Sequence, residues 1–340
     1  MRVLVTGGTG FVGAHTTKAL VDAGHDVVLL VRNPARIDEN VKPLGVDAPE
    51  FAVGDMTDRD SVARAMDGCN AVVHAAAVIA LDRKRAADAL TGNPQGAENV
   101  LGLAAERGLD PIVHVSSVSA LFDSDAPVID RDSALVQPKG AYARSKVESD
   151  LVARRLQREG APVVITYPGG VIGPPAGALT GESNLSIELT AKSGVMVLND
   201  GAISAIDVRD LAAVHAACID RAPGAQLYVC GGQYLTWRRM AELMEEVTGR
   251  RFPVLPVPGV AWRSIGRALD LVTNVVSFET SFSEESMSLA TRWVPTDDSP
   301  VADELGVHWR DAAETIADTL RGLCEIGTLR AKHIGRLAAG

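Results

Sequence analysis

Tyr142 and Lys146 stand four positions apart in the run "YARSK", so a helix through this segment puts both on one face. A phenol that titrates at about 10 is a poor base at neutral pH. An ammonium about 4 Å away favours the phenolate by about 4 kcal/mol at an effective dielectric of about 20. That is worth up to about three pH units, with desolvation acting against it. The pair is therefore expected to do acid–base chemistry. Upstream, "VHVSSVSA" ends a strand-like run in Ser116 and Ser117, the latter 25 positions before Tyr142.

A second kind of chemistry stands at the start of the chain. "MRVLVTGGTGFVG" sets Gly7, Gly8, Gly10 and Gly13 straight after a short apolar run. Glycine inside an element costs about 0.5–1 kcal/mol relative to alanine, so such a cluster marks a backbone that something approaches closely. Between a strand and a helix, Gly7 permits the tight turn, Gly10 admits a pyrophosphate, and Gly13 lets helix and strand pack. Free N–H groups at the helix start then face the anion. A turn with no ligand is the blander reading. The second strand ends "VRNPAR", with Arg32 and Arg36 where a carboxylate would bind ribose hydroxyls. Arginine suits a 2′-phosphate instead, through a charge-assisted bond worth about 1.5–3 kcal/mol. NADP(H) is expected over NAD(H), unless both arginines are merely solvated loop charges.

These residues need a scaffold, and the pattern supplies one. "RVLVTG", "DVVLLVR", "EFAVGD", "AVVHAAA", "PIVHVSS" and "PVVITYP" read as strands. Helical stretches separate them, one from about residue 94 to 107 and one over "AYARSKVESDLVARRLQREG". Such alternation predicts a parallel sheet with helices on both faces. After Pro168 the pattern loosens. "QLYVCGG" returns as a further strand, and residues 232–300 read as mostly helical. The expected division is a dinucleotide-binding unit over 1–170, rejoined by 203–230. A substrate unit over 171–202 and 231–325 and a tail over 326–340 complete it.

Bulk properties exclude several functions. The chain has 340 residues and a formal net charge of −10, without a Lys/Arg block, which argues against nucleic acid. Cys69, Cys218, Cys230 and Cys324 are far apart and form no CxxC, so buried thiols are expected rather than disulfides or a metal site. The histidines show no HExxH or HxxxH spacing. Met1 leads directly into a strand, and no run of about 18 apolar residues follows, so a cytoplasmic protein is expected.

The glycine turn, the strand-end serines and YxxxK, in this order, resemble the extended short-chain dehydrogenase/reductase superfamily. The group with dihydroflavonol reductases, 3β-hydroxysteroid dehydrogenases and epimerase/dehydratase-like proteins is the most similar. "TGGTGFVG" matches TGxxGxxG, "YPGGVIGP" resembles the segment beside the nicotinamide, and "AIDVRDLAAVH" resembles a later family segment. The resemblance spans nearly the whole chain. It implies a Rossmann-type doubly wound α/β sheet with a smaller, mostly helical C-terminal substrate domain.

It also implies roles. Tyr142 would pass the proton to or from the substrate oxygen, and Lys146 would lower its pKa and hold the nicotinamide ribose. Ser117, the second serine of the pair, would bind the substrate oxygen, with Ser116 and Ser119 structural. Asn93 would help hold a water leading to Lys146; its other reading is a helix N-cap ahead of Pro94. Gly7, Gly10, Phe11, Val12, Gly13, Arg32, Arg36, Asp55, Met56, Ala75, Ala76, Pro168 and Val171 would join Tyr142 and Lys146 around the cofactor, Asp55 at the adenine. Tyr167 departs from the family's arginine before the proline, so contacts near the nicotinamide are expected to differ.

The segment 174–199 offers only Lys192 amid apolar residues, which favours a small apolar ketone, aldehyde or alcohol over a sugar nucleotide. Trp262, Ile265, Leu269 and Val272 recur at helical spacing and read as core, or else as a substrate lid. Leu101, Leu103 and Ala104 on one helix and Val147, Leu151 and Val152 on the next are candidates for a homodimer face. Two rivals to net redox chemistry remain open: cofactor-retaining epimerisation or dehydration of a sugar nucleotide, and a non-catalytic dinucleotide sensor.

Overall fold

The computed structural model describes residues 1–78, 83–138, 140–273 and 284–339. Strand and helix alternate through β1 (Arg2–Thr6), α1 (Phe11–Asp22), β2 (Asp26–Val31), α2 (Ala35–Asn40), β3 (Glu50–Val53) and α3 (Arg59–Ala65). They continue through β4 (Ala71–His74), α4 (Arg83–Glu106), β5 (Ile112–Val115), α5 (Ala141–Arg158) and β6 (Val163–Pro168). Next come β7 (Gly170–Ile172), α6 (Asn184–Ser193), β8 (Ala202–Asp207), α7 (Val208–Arg221), β9 (Gln226–Cys230) and β10 (Gln233–Thr236). The chain closes with α8 (Trp237–Thr248), α9 (Gly259–Thr273), α10 (Glu284–Arg292), α11 (Ala312–Glu325) and α12 (Ala331–Ile334).

Seven strands form one parallel sheet in the order β3-β2-β1-β4-β5-β6-β9. Successive side chains of a strand face opposite ways, so an apolar run buries both faces. Val3 and Val5 accordingly enter the core beneath α1 and α7, and Leu4 the core beneath α3, α4 and α5. The strand order reverses between β1 and β4, opening a crevice at their carboxyl ends. This is the expected Rossmann-type sheet.

A second layer of β10, β8 and β7 lies beyond it, with β8 parallel to β7 and antiparallel to β10. Its apolar core draws Ile187 and Ala191 from α6, Met240 and Met244 from α8, and Ile316 and Leu320 from α11. Within the expected return of 203–230 to the first unit, β8 takes its strand partners from the small sheet. α7 and β9 join the large sheet and its core, to which β8 also lends Ile206. Residues 326–339 are no loose tail, since Leu329 and Ile334 are buried in the second core and Arg250 donates to the His333 carbonyl.

Two helical expectations also change. α4 begins at Arg83 rather than near 94 and carries Pro94 within it. The stripe on α9 is not core: Ile265 is 44% exposed, and Trp262 and Leu269 are half-buried. The Val272 side chain lies outside the described residues. All four cysteines are free thiols, three of them buried. No helix among the described residues is long and apolar enough to cross a membrane.

Candidate active site

The turn after β1 is held open by glycine alone. Gly7 has φ +74°, and a Cβ there would stand 2.6 Å from the Ala76 nitrogen and 2.8 Å from the Ala75 carbonyl carbon. The turn after β1 thus lies against the turn after β4, which the sequence reading assigned to the same ligand. A Cβ on Gly13 would strike the Gly7 carbonyl, so any side chain there drives α1 off the turn. Gly10 donates its N–H to the Gly7 carbonyl at 2.8 Å. It is the N-cap of α1, with no side-chain cap and no acidic residue in the first turn. The N–H groups at Phe11 and Val12 are therefore left to an anion. Asn40 braces the loop by donating to the Thr9 carbonyl at 2.9 Å.

Farther along the crevice stand the cationic residues. Arg32 is 78% exposed, with its Nη1 4.0 Å from Asp55 Oδ2. Arg36 is half-exposed beside Glu39 at 3.5 Å. Asp55 accepts from the Thr57 N–H at 2.9 Å and the Thr57 hydroxyl at 2.8 Å, which fixes the turn after β3. The Met56 carbonyl accepts from Asn99 at 2.9 Å, tying that turn to α4.

The third cluster meets at the end of β5. Tyr142 lies in the first turn of α5 and Lys146 one turn on. The Lys146 Nζ sits 6.0 Å from the centre of the Tyr142 ring and donates to the Val115 carbonyl at 3.0 Å. Ser117 accepts from the Ser119 N–H at 3.2 Å and the Ser119 hydroxyl at 3.0 Å, leaving its own proton to donate. Ser119 thus orients Ser117 directly, which is in keeping with a structural role. Burial pushes the Tyr142 phenol up to about 12, with Glu182 adding to the rise and Ser117 opposing it. Burial brings Lys146 down to about 8, against the pull of Asp150. The expected lowering of the phenol is therefore not seen: burial dominates, and Tyr142 stays a neutral phenol at neutral pH.

Asn93 is not a helix cap. It sits inside α4, accepting from the Val78 N–H at 2.7 Å and donating to the Val78 carbonyl and Ser145 Oγ, each at 3.0 Å. Ser145 in turn donates to the Tyr142 carbonyl at 2.7 Å. Asn93 therefore ties the segment after β4 to the helix that carries Tyr142. Behind Lys146, His74 and His114 stack at 5.6 Å, with the Thr6 hydroxyl 2.7 Å from His74 Nδ1. Burial holds His74 down at about 3 and His114 well below its usual range, so both stay neutral.

The sequence profile described as "NAD dependent epimerase/dehydratase family" matches residues 3–231. The chain belongs to that family. A putative dihydroflavonol 4-reductase of Synechocystis is 28% identical over 93% of this chain and 92% of its own length. A 3β-hydroxysteroid dehydrogenase/Δ5→4-isomerase of Mycobacterium tuberculosis is 30% identical over 77% and 73%. The crystal structure of a UDP-glucose-4-epimerase from Stenotrophomonas maltophila, with bound NAD, shares the fold at a TM-score of 0.77 and 22% identity. That match covers 96% of this chain and 98% of the epimerase. The chain is thus an enzyme of the extended short-chain dehydrogenase/reductase kind.

An NAD(P) of this family fits what is present. The space at Gly7 and Gly13 that a Cβ would fill and the uncapped α1 suit a pyrophosphate. Phe11 and Val171 meet beside Gly181, where a Cβ would strike the Phe11 ring and stand 3.1 Å from the Val171 carbonyl. Val12 packs on the core beneath the turn. Pro168 ends β6 next to the short strand with Val171. Tyr167 turns away from this crevice. It is fully buried, and its hydroxyl binds Asp150 and Arg154. Sequence reasoning passed over Asn40, Ser145, Asp150 and Glu182. Only Asp150, four positions beyond Lys146 on the same helix face, carried a readable signal.

Proposed function

We propose that this enzyme uses NADP(H) to reduce a ketone or aldehyde of a small, largely apolar substrate, or to oxidise the corresponding alcohol, through Ser117, Tyr142 and Lys146. The neutral Tyr142 phenol, with Ser117 facing it and Lys146 one turn behind, carries this reading. When bound, NADPH supplies the hydride that adds to the carbonyl carbon. Ser117 donates a hydrogen bond to the substrate oxygen, and Tyr142 delivers the proton that completes the hydroxyl. The Lys146 ammonium steadies the phenolate left behind and holds the nicotinamide ribose. Asn93 keeps the segment after β4 registered against Tyr142 through Val78 and Ser145.

An apolar substrate is favoured by the fate of Lys192, the sole cation of residues 174–199. It is paired with Glu188 at 2.5 Å. Leu185, Leu189 and Val197 of the same segment are exposed. A second pyrophosphate, as in a sugar nucleotide, finds little there to neutralise it. NADPH oxidation screened over aromatic and aliphatic aldehydes, ketones and steroids, with a UDP-sugar control, tests the proposal. Turnover on a simple carbonyl is the expected result. Conversion of the UDP-sugar without net oxidation of NADPH would replace it with cofactor-retaining chemistry.

The exposed Arg32 and Arg36 support the choice of NADP(H). NADPH is expected to bind about tenfold or more tighter than NADH, and Arg32→Asp to narrow or reverse the ratio. Equal affinity in the unmodified protein, measured by fluorescence titration, would remove the argument. A homodimer is proposed across α5, where Leu151 is exposed and Val147 and Val152 are half-buried. Leu101, Leu103 and Ala104 are instead consumed beneath their own sheet. Light scattering at micromolar concentration is expected to give twice the chain mass.

A further inference from the structure

Asp150 lies one turn of α5 beyond Lys146 and is fully buried. Its Oδ2 accepts from the Ser116 hydroxyl at 2.8 Å. Its Oδ1 accepts from Arg154 Nε at 2.8 Å and from the Tyr167 hydroxyl at 3.1 Å. Arg154 also donates to the Tyr167 hydroxyl at 2.8 Å. One carboxylate thus joins α5, β6 and the end of β5. A buried charge is costly unless paired and hydrogen-bonded, and an apolar replacement often stabilises as well or better. Stability alone is therefore a weak reason for this arrangement.

Its position suggests another. Ser116 immediately precedes Ser117, and Lys146 donates to Val115 on the other side of Ser116. The strand end 115–117 is thus clamped from α5 at two successive turns. The charges nearby are few, and Glu182 acts on Tyr142. Lys146 is faced by Tyr142, by His74 from β4 and by His114 from β5, both imidazoles being neutral. Asp150 is faced by Arg154 and Tyr167. From α4, Asn93 brings only an amide, and Glu98 is spent on Arg155 at the outer surface.

We propose that Asp150 is a positioning residue: it fixes the strand end that carries Ser117 and supplies the buried negative charge that compensates the Lys146 ammonium. This rests on the reading of Lys146 as a cofactor-binding group, and the test separates the two. NADPH affinity, with NADH in parallel, is measured by fluorescence from pH 7 to 10, above the phosphate ionisation at about 6. The unmodified protein is expected to lose affinity as Lys146 gives up its proton. Lys146→Met is expected to bind more weakly and to show no such midpoint.

Asp150→Asn keeps the shape and removes the charge, so its midpoint is expected about one pH unit lower, with affinity at pH 7 within about threefold. Arg154→Met removes the cation that offsets Asp150 and is expected to move the midpoint upward. A purely architectural Asp150 would lower affinity evenly across the range, and an unmoved midpoint in Asp150→Asn overturns the proposal. Should Asp150→Asn fail to fold, an unmoved midpoint in Arg154→Met overturns it equally. A Lys146→Met protein that keeps the unmodified midpoint would instead discard the cofactor role of Lys146.

Discussion

Tyr142→Phe is expected to lose about a hundredfold or more in turnover, the usual scale for removing a general acid. The ring, its packing and the glycine cradle all remain. NADPH affinity should therefore change by no more than one hydrogen bond, about 0.5–1.5 kcal/mol. The phenol stands at about 12 in the fold and stays protonated across the neutral range. The alkaline loss of activity in the unmodified enzyme should accordingly follow Lys146, at about 8, rather than Tyr142. Stopped-flow turnover and fluorescence titration measure the two quantities separately. Near-normal turnover on a substrate from the carbonyl screen would sink the proton-donor role. Loss of NADPH binding in this variant is not compatible with a substitution confined to the acid.

Lys146→Met is expected to behave differently in kind. Turnover and NADPH affinity should fall together, because in the proposed mechanism the ammonium both steadies the phenolate and holds the ribose. Stability should move the other way. Burial lowers the lysine from 10.5 to about 8, so between these values the unfolded chain binds more protons than the fold. Stability of the unmodified protein then rises with pH across that window, and the full penalty of the buried ammonium is present below pH 8. Methionine carries no such penalty. In the absence of nucleotide the variant should be more stable below pH 8, by at most on the order of 3 kcal/mol, with Asp150 left less well compensated. The gap should close towards pH 10.5. Denaturant unfolding at several pH values tests this, and a variant that is less stable at pH 7 and equally so at pH 10 contradicts it. An inactive but stabilised variant is the signature of a residue kept for function.

Some parts of the site were legible because they depend on short stretches of chain. The turn at Gly7 to Gly13 requires backbone geometry that glycine alone accepts, so its place between strand and helix could be read directly. YxxxK fixes its own geometry as soon as the segment is helical. Asn93 was named by the resemblance, but its contacts were not legible. Its amide answers the Val78 backbone and Ser145, 15 and 52 positions away, so its neighbour Pro94 misleadingly suggested a helix start. The core reading of the α9 stripe failed for a related reason. Helical spacing reveals a common face but not whether anything covers it.

The sequence by itself determined the alternation that builds the parallel sheet, the glycine turn at its first strand and the order of Ser117, Tyr142 and Lys146. Each follows from local periodicity, backbone sterics or spacing along one helix. The tertiary structure alone decided the protonation state of the site, because burial is a property of every element packed around a group. Tyr142 moves up rather than down, since desolvation of its phenolate, with Glu182 adding to it, exceeds what the Ser117 hydrogen bond returns. It also decided that Tyr167 turns into the core and that Asp150 ties α5 to the ends of β5 and β6. Pairing across strands distant in sequence creates such contacts, and no local pattern encodes them.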